Sequence, residues 1–488
     1  MSAGTIIATD KLNVKTYMKK QISILLLLFF ISFGAFAEGR AKYVFYFIGD
    51  GMGVNQVNAA ETYLGALDGK IGIRELCFPS FPYVGLVNTQ SGTNGVTDSA
   101  AGGTALASGN KSHNGTLGML ADMETPVTGI AQWAHDKGAA VGVTTSVSID
   151  HATPAAFYAH VPSRKQTYEI GHQLVNSGLD FFAGSDFTNT ENPQKGGDDL
   201  YVQAEKAGYV IAKGYKNYQK LARKSDKMIL LQTDEANKAD RTCIPYALDR
   251  DKSDLTLSDI TRAAINFLSK KQDEKDGFFL MVEGGKIDWA CHANDPATFI
   301  HEVIDMDNAV KVAYEFYQQH PDETLIVITA DHETGGLVLG RGKYELNLDL
   351  LRYEKMSIAK LGRELHKLHE KNGEKYNLDI VKKFLKDNFG FWDKIKLSSE
   401  QEKRLETAFN DIMEGKDKGS KTLYQKDDEL ADTVKKIMSE LSGISWASGG
   451  HSNGYVPVFA VGVGAEMFTG RIDNTEIPKK MAKIAGWN

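Results

Sequence analysis

Five apolar runs of strand length, at residues 43–48, 139–145, 227–232, 277–282 and 324–329, carry no polar alternation. A strand with a polar residue at every second position can leave one face in water. These runs cannot, so both of their faces must be covered. Between them, residues 128–137, 256–271 and 296–319 carry apolar side chains at helical spacing. The alternation predicts a doubly wound α/β fold with a mostly parallel central sheet flanked by helices, and 488 residues suffice for a sizeable core. Sheets of this kind collect ligands at the carboxyl ends of their strands. Chemistry is therefore sought in the loops that follow the runs.

The rest of the chain sets bounds. Lys and Arg number 56 against 63 Asp and Glu, a formal net charge of −7 with no long basic block, so nothing favours a nucleic-acid-binding role. Met18-Lys19-Lys20 precedes an apolar run at 22–33 that ends in Gly34-Ala35-Phe36-Ala37. This is the basic, apolar and small-residue order of a secretory leader, too short for a comfortable membrane span. It predicts a leader over 1–37, with translation starting at Met18, and a mature chain over 38–487 without a membrane span, exported to the periplasm or the exterior. A retained N-terminal anchor is the competing reading. Cys77, Cys243 and Cys291 are too few for a disulfide framework, although one Cys77–Cys243 bridge is open. Residues 341–447 are dense in Lys, Glu and Asp at helical spacing and predict a mainly helical insertion within the sheet domain.

One stretch is chemically loaded. In V-T-D-S-A-A-G-G-T-A-L-A-S-G at 96–109, Asp98 reads as a helix N-cap and the run of small residues as a closely packed helix. Ser99 then stands at the positive end of that helix, where anions are favoured. A hydroxyl at its ordinary pKa is a poor nucleophile, so a chemical role needs a base or a metal beside it.

Acids and imidazoles gather where strands end. The run 43–48 leads into Gly49-Asp50-Gly51, the run 277–282 into Glu283 and then Asp288 and His292, and the run 324–329 into Asp331-His332. His451 sits in a glycine-rich loop before the last apolar run, at 456–463. If 288–292 is helical, Asp288 and His292 share one face and can hold one ion. Carboxylates delivered together to one sheet edge repel one another unless cations lie between them. Mixed His/Asp sets favour zinc, and all-oxygen sets favour magnesium.

These motifs, I-G-D-G-M-G at 48–53, T-D-S-A-A at 97–101, A-T-P-A-A at 152–156, V-P-S-R at 161–164, V-E-G at 282–284, Asp288 with His292, T-A-D-H at 329–332 and Gly450-His451, resemble those of the alkaline phosphatases. The resemblance runs from about Tyr43 to the end, apart from the helical insertion. It implies hydrolysis of phosphate monoesters through a phosphoserine on Ser99, with two zinc and one magnesium per chain, in a homodimer. By the same resemblance Asp50, Asp331 and His332, with Ser99, hold one zinc, and Asp288, His292 and His451 hold the other. Asp50, Thr153 and Glu283 hold the magnesium, and Arg164, steadied by Asp98, grips two phosphoryl oxygens. Where the enterobacterial pattern has Asp and Lys, this chain has His151 and Trp289. Both are assigned to the substrate side of the site, His151 beside the magnesium ligands, and the change leaves the identity of the third ion open. Sulfatase relatives need a C/S-x-P-x-R context, whereas Ser99 is followed by Ala-Ala-Gly-Gly. Phosphodiesterase relatives use Thr and lack the third metal set. A catalytically inactive phosphate-binding protein is the alternative from another class, and an intact ligand set argues against it.

Overall fold

Four of the five apolar runs stand side by side at the centre of a ten-stranded sheet, and the fifth, at 227–232, lies next to its edge. Its strands are β1 (Tyr43–Ile48), β2 (Tyr83–Asn88), β3 (Ala140–Thr145), β4 (Phe181–Gly184), β5 (Tyr209–Lys213), β6 (Lys227–Leu231), β7 (Phe278–Glu283), β8 (Thr324–Thr329), β9 (Val456–Gly462) and β10 (Gly470–Asp473), in the order β10-β2-β9-β8-β1-β7-β3-β4-β6-β5. Neighbours run parallel except at β9, which is antiparallel to both β2 and β8. The computed structural model describes residues 39–271, 275–342 and 344–488, so the leader read over 1–37 lies outside the described residues. Ala41–Asn488 forms one compact unit.

Both faces of the sheet are covered, as unbroken apolar strands require. Phe278 and Phe279 are consecutive in β7 and point to opposite sides. Phe278 packs on Phe316 of the long helix Pro296–Gln319, while Phe279 packs on Phe157 and Trp487. That long helix starts where Asp295 accepts from the Thr298 N–H and Pro296 takes the first turn, a position that needs no N–H.

Register decides where the strands deliver their loops. In β1, Ile48 lies opposite Glu283 of β7 and Thr329 of β8, and Glu283 lies opposite Thr145 of β3. Four adjacent strands therefore end level. The reversed direction of β9 brings its N-terminal approach to the same edge, and there His451 pairs with Thr334 in a short antiparallel ladder.

Within 341–447 the chain forms helices Ile358–Asn372, Leu378–Phe389, Ser399–Met413 and Glu429–Ser442, capped by Ser357, Asn377, Ser398 and Asp428. The excursion is closed where Leu337–Leu339 pairs with Ile444–Trp446, and Leu430, Val434, Ile437 and Met438 are buried in the main core. Strands β2, β4, β5 and β10 were not among the expected runs. In β2, Val84 and Leu86 are exposed, and a strand half in solvent carries no continuous apolar signature. Cys77, Cys243 and Cys291 are all free thiols, so the open Cys77–Cys243 bridge does not form. Among the described residues no helix is long and apolar enough to cross a membrane.

Candidate active site

Ser99 is the first residue of helix α1 (Ser99–Ser108) and is fully buried. Asp98 Oδ1 accepts from the Ala101 N–H, which makes it the N-cap, and from the Gly115 N–H, both at 3.0 Å. The small-residue run has a steric purpose. A Cβ on Gly102 would sit 3.1 Å from the Cβ and carbonyl oxygen of Asp331, and one on Gly103 would sit 3.2 Å from the Thr153 Cα. Only a helix without side chains there can lie this close to Asp331 and Thr153. The Ser99 hydroxyl is thereby held 3.3 Å from His332 Nε2.

The level strand ends bring the acids together around that hydroxyl. His332 Nε2 lies 3.3 Å from Asp50 Oδ1 and 3.4 Å from Asp331 Oδ2. Asp331 Oδ1 accepts from the N–H groups of Gly51 and His332, which aims its other oxygen into the site. Thr153 donates to Asp50 Oδ2 at 3.3 Å, Thr145 donates to Glu283 Oε2, and His151 Nδ1 stands 3.7 Å from Glu283 Oε1. Helix α2 (Lys286–His292) does place Asp288 and His292 on one face, with His292 Nε2 3.2 Å from Asp288 Oδ2. His451 Nε2 is 3.6 Å from Asp288 Oδ1 and 3.0 Å from His292 Nε2.

The ring nitrogens show what such a centre is built to hold. Nδ1 of His292 faces the Gly449 carbonyl at 2.6 Å, and Nδ1 of His451 faces the Thr97 carbonyl at 2.8 Å. Each must therefore carry a proton on Nδ1, which turns Nε2 toward the buried carboxylates. His332 is oriented likewise, since the Thr334 hydroxyl donates to Asp288 Oδ1 at 2.5 Å and so accepts from His332 Nδ1 at 3.2 Å. Two Nε2 atoms 3.0 Å apart need a positive charge between them, which either a proton or a metal ion supplies. Asp50 Oδ1, Glu283 Oε1, Asp288 Oδ2 and Asp331 Oδ2 are likewise buried with no hydrogen-bond donor. Leaving such groups unpaired is costly, and divalent ions satisfy them.

The charges tell the same story. Burial, then Asp331, Asp288 and Glu283, pushes Asp50 well above the ordinary carboxylate range. Burial, then Asp288 and Glu283, pushes Asp331 up to about 8. Burial also works to raise Asp288, but His292 with His451 outweighs it and holds that carboxyl below the usual range. Burial and the neighbouring His451 lower His332, while for His292 the pull of Asp288 overcomes burial and raises it. Among the described residues, three groups offer ligand atoms within 4.8 Å of one another: Asp50, Asp331 and His332; Asp288, His332 and His451; and Asp50, His151 and Glu283.

The profile of the alkaline phosphatase family matches residues 41–487. The chain belongs to the alkaline phosphatase family. Alkaline phosphatase 3 of Bacillus subtilis is 31% identical over 461 residues, spanning 92% of this chain and 90% of that one. The crystal structure of the cold-active alkaline phosphatase of a psychrophilic Shewanella aligns with a TM-score of 0.77 at 30% identity, over 91% of this chain and 99% of that one. A variant of the alkaline phosphatase of the Antarctic bacterium TAB5, with aspartate in place of a histidine and Mg bound in its M3 site, aligns with a TM-score of 0.62 at 26% identity, over 92% and 99%. Phosphate monoester hydrolysis is the activity of the family.

On the open side of the phosphatase site stands Arg164. Its Nη1 donates to Asp98 Oδ2 at 3.2 Å, and its Nη2 lies 3.2 Å from His151 Nε2 and 3.4 Å from the Tyr424 hydroxyl. Asp98 thus divides its two oxygens between the helix cap and the arginine. Trp289 walls the site, stacked on Tyr424 with ring centroids 4.5 Å apart and planes at 15°. Every residue singled out from the sequence falls within this one cluster. Three that it meets were not singled out. Thr145 and Thr334 orient Glu283, Asp288 and His332, and Thr334 lies only two residues beyond His332, where a hydroxyl next to a ligand pair is a usable signal. Tyr424 sits in a lysine-rich stretch and carries none.

Proposed function

We propose that the protein is an exported, metal-dependent phosphatase that converts phosphate monoesters to alcohol and inorganic phosphate through a phosphoserine on Ser99. Asp50, Asp331 and His332, with the Ser99 oxygen, would hold one zinc, and Asp288, His292 and His451 the other. Asp50, Thr153 and Glu283 would hold magnesium, with His151 beside them. When bound, such ions lower the pKa of a coordinated hydroxyl or water and neutralise charge on the attacking and leaving oxygens.

The chain's own residues do the rest. Buried Ser99, at the N-terminus of α1, attacks phosphorus through Oγ as the ester P–O bond breaks and the alcohol leaves. Phosphoryl transfer depends on alignment and on neutralising the equatorial oxygens, a task this reading gives to Arg164. The planar fork of an arginine suits two oxygens in a way that lysine does not. Water then attacks the phosphoserine, returns the Ser99 hydroxyl and frees inorganic phosphate. Trp289 closes the substrate side. Export follows from the leader at 1–37, and a homodimer is expected from the family resemblance.

The observation that carries this reading is the convergence of three imidazole Nε2 atoms and four donorless carboxylate oxygens around the Ser99 hydroxyl. The test is hydrolysis of p-nitrophenyl phosphate, a phosphodiester and a sulfate ester by the purified protein, with metal analysis. Monoester activity, about two zinc and one magnesium per chain, and no phosphoenzyme in Ser99→Ala are expected. Full activity in Ser99→Ala would end the scheme.

A further inference from the structure

Tyr424 comes from a hairpin in which Ser420–Lys421 pairs antiparallel with Lys426–Asp427. The turn is closed by the Thr422 N–H donating to the Gln425 carbonyl at 2.8 Å and the Gln425 N–H donating to the Thr422 hydroxyl at 3.2 Å. Its base is tied to helix Glu429–Ser442, where the Ser420 hydroxyl donates to Asp432 Oδ1 and Lys435 Nζ donates to Asp427 Oδ2, each at 2.8 Å. Leu423 at the tip is 63% exposed, so the hairpin is not folded to bury its apolar residues. The next ring nevertheless turns inward.

There it packs with Trp289 in a small cluster with Val147, Cys243 and Tyr246, separate from the main core. It also meets His292 edge-on, with centroids 5.4 Å apart. The stack on Trp289 fixes the ring, and a fixed ring fixes its hydroxyl beside Arg164 Nη2. An arginine side chain loses much rotamer freedom on ordering, and neighbours that hold it beforehand reduce that loss when the ligand arrives. Asp98, His151 and Tyr424 hold this guanidinium from three sides.

We infer that Tyr424 is a positioning residue: the hairpin at 420–427 lends the phosphatase site a tyrosine whose hydroxyl keeps Arg164 where it can grip two phosphoryl oxygens. The inference rests on the assignment of Arg164 to the phosphoryl group made above. It also gives the 341–447 segment a part in the site.

Two readouts test it on the zinc- and magnesium-loaded enzyme: calorimetric binding of inorganic phosphate, and the kinetics of p-nitrophenyl phosphate hydrolysis. Tyr424→Phe keeps the stack and loses the hydroxyl contact. It is expected to weaken phosphate about fivefold to tenfold and to raise KM in parallel, with kcat within about twofold, as for the loss of one ordinary hydrogen bond. In an Arg164→Ala background the same change should have no effect. Phosphate binding by Tyr424→Phe equal to that of the wild type overturns the inference, and so does an undiminished loss in the Arg164→Ala background, since the hydroxyl then acts without the arginine. Tyr424→Ala, which removes ring and hydroxyl together, should lose more than Tyr424→Phe, and full rescue of its defect by Phe refutes a role for the hydroxyl. A wild type that binds phosphate but leaves monoesters intact sinks the catalytic reading alone, because the binding comparison still decides the matter of Tyr424.

Discussion

Asp98 performs two tasks with two atoms, and substitution can separate them. Oδ1 accepts from the Ala101 and Gly115 N–H groups at 3.0 Å each, while Oδ2 accepts from Arg164 Nη1 at 3.2 Å. Asn keeps an oxygen for the first task and is as good an N-cap as Asp, but it turns an NH2 toward the arginine. Ala keeps neither. Loss of a cap costs about 1 kcal/mol, and loss of the acceptor for Gly115 about 1 kcal/mol more, so Asp98→Ala should be destabilised by about 2 kcal/mol. Asp98→Asn should stay within about 0.5 kcal/mol of the wild type. The side chains of Arg164 and Asp98 are 21% and 24% exposed, so their pairing is only partly screened. A loss of about 1.4 kcal/mol there corresponds to a tenfold rise in the inhibition constant for inorganic phosphate, expected in both variants. Thermal melts report the first quantity, and competitive inhibition of p-nitrophenyl phosphate hydrolysis reports the second. An Asn variant that melts as low as the Ala variant would refute the division of labour, as would an Asn variant with unchanged phosphate inhibition.

Chelation should lower the melting temperature as well as abolish activity, because the buried carboxylates Asp50, Glu283, Asp288 and Asp331 are left with unpaired oxygens, and zinc with magnesium should restore both; a melt indifferent to chelator contradicts the site. Gly102→Val should cost activity through displacement of Asp331, whose Cβ lies 3.1 Å from the new Cβ, and an isosteric change far from α1 should not; wild-type zinc content and turnover in Gly102→Val would show that the close approach is immaterial. Glu354 is buried with no donor on either carboxyl oxygen, and burial followed by the charge of Asp295 raises it well above its ordinary value near 4.5. The folded state then holds a proton that the unfolded chain releases, so its stability falls as pH climbs above that ordinary value. Glu354→Gln removes this penalty, and its gain in melting temperature over the wild type should be larger at pH 8 than at pH 4.5, equal gains at both being the contrary result.

What could be read from the chain alone was whatever is written locally. The unbroken apolar runs at 43–48 and 324–329 are β1 and β8 to the residue, because a strand covered on both faces must be apolar throughout. The helix at Pro296–Gln319 was equally legible from its period, and Asp288 and His292 share a face because four residues make about one helical turn. The family motifs named the candidate residues of the site, since a ligand's chemistry demands particular side chains. Tertiary structure alone decided how those residues meet. The level ends of β3, β7, β1 and β8 follow from interstrand register, and His451 reaches the same edge because β9 runs against its neighbours. The carbonyls of Gly449 and Thr97, which aim His292 and His451, are backbone atoms that every residue carries, so no letter marks them. Tyr424 is the sharpest case: in a charged surface hairpin it looks like any tyrosine, and only the packing of that hairpin on Trp289 sets its hydroxyl beside Arg164. Residue type and period are local quantities, whereas the distance between two side chains far apart in the chain depends on every turn between them.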